Sequence, residues 1–172
     1  MYSHIQNSSG NNDFCAYKLD LSKAYDRVDW DYLERALLKW GFSPRWVDLV
    51  MECVRSAKYS VKFSGKLLTQ ITPTHDLRQG DPLSPFLFLF VDDDLSVLLH
   101  KAIREDGLEA LKICRRAPNI SHLLFADDTL LFFRATAGQV TIMKEVLNTY
   151  GTTMGQLINP SMCSILFADN CP

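Results

Sequence analysis

The sequence has no basic excess: 18 lysines and arginines stand against 20 aspartates and glutamates, a formal charge of −2 over 172 residues. A free-standing domain held on a phosphate backbone by charge alone is therefore disfavoured. Long apolar runs are also missing. The longest, Phe86 to Val91, ends in Asp92-Asp93-Asp94, far short of the roughly 20 residues that a membrane span needs. The opening MYSHIQNSSGNND has no apolar signal core, so neither secretion nor membrane anchoring is expected. Cysteine is sparse and scattered, at Cys15, Cys53, Cys114, Cys163 and Cys171. An odd number without paired spacing fits neither a zinc site nor a disulfide framework, and an intracellular, reduced chain is expected. His4, His75, His100 and His122 show no metal-ligand spacing. There is no internal repeat, low-complexity tract or linker.

What is present is a globular composition, 47% hydrophobic and 22% charged, which places the chain far from disorder and allows one domain with a real core. Residues 1–13 read as a polar leader and 14–172 as a single α+β unit, a sheet backed by helices. Phe14 to Leu19 has strand character. Trp30, Leu33, Ala36, Leu37 and Trp40 recur at helical spacing, with Asp29 to cap the start and Gly41 to stop it. Ser43-Pro44 opens a second helix reaching about Ser56. Tyr59–Phe63 and Leu67–Thr72, broken by Ser64-Gly65, read as a hairpin. Pro85 fits the first turn of an apolar helix running towards Arg104, and Ala110 to Cys114 reads as a strand. Leu123 to Phe133 forms two apolar arms around Ala126-Asp127-Asp128, a second hairpin with an acidic tip. Thr136 and Gln139 resemble a capping box before a helix ended by Gly151, and short strands are expected near Leu157 and Ile165.

Three stretches carry chemistry. Asp20 follows a strand, where a carboxylate can point at a cation instead of into the core; alone, such an aspartate more often caps a turn, as Asp26 and Asp29 are expected to do. Asp127-Asp128 sits between apolar arms and must be neutralised or exposed at a turn. Hard oxygen donors of this kind suit Mg²⁺, and Asp20 and Asp127 on neighbouring strands would make such a site. Arg78-Gln79-Gly80-Asp81-Pro82 opens a helix, and Gly80 would let a nucleotide or template base approach the backbone. Tyr25, five residues past Asp20, could lie under a bound sugar, although a lone tyrosine is more often core.

Taken together, Leu19-Asp20-Leu21-Ser22-Lys23-Ala24-Tyr25-Asp26-Arg27-Val28, Leu77-Arg78-Gln79-Gly80-Asp81-Pro82-Leu83-Ser84-Pro85 and Leu124-Phe125-Ala126-Asp127-Asp128 closely resemble the three central motifs of reverse transcriptases of the LINE-type, non-LTR retrotransposon branch. The resemblance runs from about Phe14 to Phe167, and Phe125-Ala126-Asp127-Asp128 with Asp81-Pro82-Leu83-Ser84-Pro85 looks particularly like plant members. It implies a palm, an antiparallel sheet carrying the carboxylates with helices behind, and fingers and thumb missing.

The implied reaction adds deoxynucleotides to a DNA primer 3′-hydroxyl on an RNA template, with two Mg²⁺ ions and an expected nuclear location. By resemblance, Asp20 and Asp127 hold metal, the Leu21 carbonyl assists, and Asp128 has a supporting role with its side chain directed away from that of Asp127. Tyr25 matches the aromatic that excludes a 2′-hydroxyl, and Gln79 and Gly80 match the loop contacting the incoming nucleotide. Two positions depart from the family pattern. Met162-Cys163 stands where lysine then serine is usual, removing a proposed proton donor to pyrophosphate. His75-Asp76 replaces a basic residue and glycine before the nucleotide loop, adding a charge and a Cβ that are expected to disturb the loop's shape. The chain by itself is accordingly expected to be inactive. The alternatives are a non-catalytic nucleic-acid or protein-binding module derived from a palm, and another magnesium phosphotransfer enzyme, which the Gln79-Gly80 loop argues against.

Overall fold

The computed structural model describes residues 13–114, 116–125 and 128–168; the polar leader up to Asn12 and the hairpin tip Ala126-Asp127 lie outside them. The elements run β1 (Phe14–Asp20), α1 (Trp30–Lys39), α2 (Pro44–Arg55), β2 (Tyr59–Phe63), β3 (Lys66–Ile71), α3 (Ser84–Lys101), β4 (Leu111–Lys112), β5 (Asn119–Ile120), β6 (His122–Phe125), β7 (Asp128–Arg134), α4 (Ala137–Met154) and β8 (Ser164–Phe167). They divide into two units, residues 1–22 with 92–172, and residues 23–91.

The first unit is built on a four-stranded antiparallel sheet in the order β6-β7-β1-β8. Side chains alternate across a strand, and residues directly opposite on neighbouring strands share a face. The β1–β7 register pairs Cys15 with Phe133, Tyr17 with Leu131 and Leu19 with Thr129, so these six line one face. There Tyr17, Phe133 and Ile165 meet Val140, Met143 and Leu147 of α4. The opposite face carries Phe14, Ala16, Lys18 and Asp20 beside Arg134, Phe132, Leu130 and Asp128. Among the described residues this face is covered at its Phe14 end, by a cluster of Phe14, Ala16 and Phe132 with Leu111 of β4, joined by Ile120, Leu123 and Leu130. The Asp20 end is left open, with Lys18 and Asp128 exposed and Asp20 half-buried.

Thr136 caps α4 through a bond from the Gln139 amide. The reciprocal half of the expected capping box is absent: the Gln139 side chain instead donates to Gly107 O at 2.9 Å and accepts from Glu109 N at 2.7 Å, fastening the turn after α3. Gly151 does not stop the helix. The left-handed residue is Gly155, φ 67°, and the extra turn buries Met154. A Cβ at Gly151 would lie 3.1 Å from the Gln156 carbonyl, so this glycine permits a close approach. The strand expected near Leu157 is only a bridge from Ile158 to Leu21, and the short strand β5 carried no pattern long enough to be read.

In the second unit Asp29 caps α1 by accepting from Tyr32 N at 2.7 Å, the structural role expected for it. Ser43 does the same for α2. Leu33 and Leu37 of α1 and Val47 and Met51 of α2 are buried. Phe42 stacks on Trp46 at 4.4 Å and meets Phe90 of α3 edge-on at 5.3 Å. The β2–β3 hairpin is exposed on both sides, leaving Val61, Phe63, Leu67, Leu68 and Ile71 to solvent. Among the described residues no helix is long and apolar enough to cross a membrane.

Candidate active site

Asp20 ends β1 directly opposite Asp128, the first residue of β7. The two therefore share the open end of the sheet face that lies away from α4. Asp128 is part of the strand and not of the turn expected for it, because the ladder continues to its last pair, Phe125 with Asp128. Its carboxylate takes a bond of 2.8 Å from Lys18. Lys18 precedes Asp20 by two residues, so the period of a strand already placed the amine on the acidic face. With both groups about half exposed, this pair contributes little to stability; its consequence is an amine held beside the Asp20–Asp128 pair.

The backbone after Asp20 is held by residues 157–163. Ser22 N donates to Leu157 O at 2.7 Å and Asn159 N to Asp20 O at 2.9 Å. This bridge of Leu21 with Ile158 uses the carbonyls of Asp20 and Leu157 and leaves the Leu21 carbonyl out of its bonds. The Asp20 amide donates to Cys163 Sγ at 3.4 Å. The thiol thus occupies a supporting position beneath Asp20, and burial raises the pKa of the neighbouring Tyr17 hydroxyl, with Cys163 adding to the effect. Met162 is exposed. Among the described residues no side-chain partner engages the Asp20 carboxylate. A half-buried carboxylate, a carbonyl next to it that the bridge leaves out and a second carboxylate across the ladder are hard oxygen donors of the type Mg²⁺ takes, but among the described residues no three His, Cys, Asp or Glu side chains gather as a metal site. Asp127, the other expected ligand, lies outside the described residues.

Tyr25, Gln79 and Gly80 belong to the second unit. Tyr25 opens a 3₁₀ turn, Tyr25–Arg27, and its half-buried ring stacks on fully buried Phe88 of α3 at 4.8 Å and 17°. Its carbonyl accepts from Leu77 N at 2.9 Å. Leu77 leads into the exposed Gln79-Gly80 turn, where Gly80 takes φ 84°, a conformation that favours glycine. Asp81 closes the turn, accepting from Leu83 N at 2.8 Å at the start of α3. Asp76, one of the two departures, is held by its own bonds at the entry to this turn. Its backbone has φ 113°, its carboxylate accepts from the Tyr59 hydroxyl at 2.7 Å, and its carbonyl accepts from Trp30 Nε1 at 2.8 Å. The bond to Asp76 is the main reason the Tyr59 pKa is raised. Phe88 and Tyr59 were not legible as site residues. Phe88 reads as one more apolar residue of α3, and Tyr59 meets Asp76 only through the fold.

A four-stranded antiparallel sheet with one helical face and an acidic, open end on the other is the palm architecture of a templated polymerase. Solved structures agree: telomerase from Candida tropicalis in complex with a TWJ fragment of telomeric RNA aligns with a TM-score of 0.71 at 13% identity, over 98% of this chain and 28% of that one. Telomerase from Candida albicans gives 0.64 over 93% and 28%. A family model described as reverse transcriptase (RNA-dependent DNA polymerase) matches residues 3–170, and the chain belongs to that family. Its relatives place it with the non-LTR retrotransposon branch. It is 30% identical over 152 residues to a retrovirus-related Pol polyprotein of the type-1 retrotransposable element R2 from Popillia japonica. It is 33% identical over 106 residues to an uncharacterized mitochondrial protein of Arabidopsis thaliana, of which it covers 83%. It spans 24% of the Popillia polyprotein and 13% of an R2 polyprotein from Drosophila melanogaster, to which it is 28% identical.

Proposed function

We propose that this chain is the catalytic palm of an RNA-directed DNA polymerase, which adds deoxynucleotides to a DNA primer 3′-hydroxyl opposite an RNA template. The observation that carries the reading is the pairing of Asp20 with Asp128 at the uncovered end of the sheet, beside a Leu21 carbonyl that its bridge leaves uncommitted. Asp20, the Leu21 carbonyl and Asp127 would hold two Mg²⁺ ions, with Asp128 in support. Bound there, such ions would lower the pKa of the primer hydroxyl and stabilise charge on the attacking and leaving oxygens. Lys18 balances Asp128 until the cations arrive. In the second unit, Tyr25 lies under the sugar of the incoming nucleotide and Gln79-Gly80 offers backbone to it.

The chain alone does not extend a primer. Met162 has no proton to give pyrophosphate, and a charge of −2 gives little purchase on template and primer. The test is Mg²⁺-dependent binding of a fluorescent deoxynucleoside triphosphate to the folded chain, followed by primer extension on an RNA template. Binding that requires Mg²⁺ and is lost in Asp20→Asn is expected, with no extension. Metal-independent binding indifferent to Asp20→Asn contradicts the palm reading and favours a non-catalytic binding module. Extension abolished by Asp127→Asn contradicts only the inactivity.

A further inference from the structure

Asp76 holds a backbone angle, φ 113°, that glycine adopts freely and an L side chain adopts only at a cost. A residue kept in such a conformation is over-determined by what surrounds it. Four bonds do this here. The Asp76 amide donates to Val28 O at 3.0 Å and the adjacent Leu77 amide to Tyr25 O at 2.9 Å. Trp30 Nε1 donates to the Asp76 carbonyl at 2.8 Å, and the Tyr59 hydroxyl to its Oδ2 at 2.7 Å. The first two fasten the residues leading into the Gln79-Gly80 turn to the short turn that carries Tyr25, whose ring is backed by Phe88. The fourth brings in β2, seventeen positions earlier in sequence. Every one of these residues lies within the second unit.

We propose that Tyr59 and Asp76 form a latch that positions the Gln79-Gly80 turn and Tyr25 as one frame, and so sets discrimination between deoxy- and ribonucleotides. Tyr59 and Asp76 are positioning residues, since neither has to touch the nucleotide. The effect on discrimination rests on the nucleotide-binding roles proposed for Tyr25 and Gln79-Gly80. The carboxylate does through its side chain what glycine would do through backbone freedom. With Asp76 present, the angle is held against its cost by the Tyr59 bond; with glycine there, the angle is free and the bond is dispensable.

The test is a double-mutant cycle of Tyr59→Phe and Asp76→Gly on the full chain, read by amide exchange at residues 76 and 77 and by the ratio of ATP to dATP dissociation constants in Mg²⁺. Tyr59→Phe in the wild-type background is expected to speed exchange at both amides by about tenfold, the lower range for a bond to a charged group, and to reduce the ribose discrimination ratio about threefold. In the Asp76→Gly background the same substitution is expected to change neither quantity by more than about twofold. Equal effects of Tyr59→Phe in both backgrounds, or an unchanged ratio in a wild-type chain that binds dATP, overturns the latch. A folded wild-type chain that binds no nucleotide overturns the functional reading instead, and the exchange cycle still decides whether the two side chains are coupled.

Discussion

Replacing Asp92 by asparagine gives a stability effect whose pH dependence follows from the site. Asp92 lies on α3, 1% exposed. The Tyr150 hydroxyl donates to its Oδ1 at 3.2 Å, while among the described residues Oδ2 is buried without a partner. Burial pushes the carboxyl from 3.8 up to about 6; the Tyr150 bond opposes the rise and the charge of Asp93 adds to it. A carboxyl whose folded pKa exceeds its unfolded one favours folding while protonated. Its contribution is fully present below pH 3.8 and is lost as pH rises through about 6. At about 1.4 kcal/mol per pKa unit, the charged form costs the fold about 3 kcal/mol at neutral pH. Asp92→Asn removes that charge but leaves an amide NH₂ facing the position of Oδ2, at a cost of about 1–3 kcal/mol that does not vary with pH. The variant's stability relative to wild type should therefore improve by about 2 kcal/mol between pH 4, where part of the charge cost is already present, and pH 7, or about 4–8 °C in Tm for a chain of this size. Thermal melts of both proteins at half-unit steps from pH 4 to pH 8 measure it. A difference in Tm that stays constant across this range refutes the reasoning.

Phe88→Ala removes the ring beneath Tyr25 from a fully buried position and should cost about 3–5 kcal/mol, while Phe88→Leu should keep most of the stability and weaken discrimination against ribonucleotides; urea unfolding and nucleotide titrations separate the two effects. Asp29→Ala deletes the α1 cap and should cost about 1 kcal/mol in the same unfolding assay, with no cost disproving the cap. Polar substitution of Val61, Phe63 and Leu67 together should reduce self-association seen by light scattering and leave Tm unchanged, because all three are already exposed; a lower Tm would show that the hairpin's apolar side chains support the fold.

Much of the fold was legible because its signals are local. The α1 stripe from Trp30 to Leu37 and the capping residues Asp29, Ser43 and Thr136 specify helices without reference to anything distant. The period of a strand also carries Lys18 onto the face of Asp20. Non-local facts were not legible. The end of α4 moved from Gly151 to Gly155 because the close approach of the Gln156 carbonyl, and not a left-handed turn, explains the first glycine. Gln139 left its capping box for partners at Gly107 and Glu109, about thirty residues earlier. The register that sets Asp128 opposite Asp20 follows from hydrophobic burial across the whole sheet. Asp76 reads in the sequence only as an added charge and Cβ beside the nucleotide loop; its bonds to Tyr59 and Trp30 exist only in the folded chain.

The proposed function requires that the open end of the sheet bind a divalent cation through Asp20. Titrating Mn²⁺ into the isotopically labelled chain and following paramagnetic broadening of its amide signals tests this directly. The signals of Asp20, Leu21 and Asp128 are expected to broaden first, at sub-stoichiometric Mn²⁺, excess Mg²⁺ to reverse the loss, and Asp20→Asn to abolish it in a chain with an unchanged spectrum elsewhere. Broadening that spreads over the exposed acidic residues alike and persists in Asp20→Asn would contradict it.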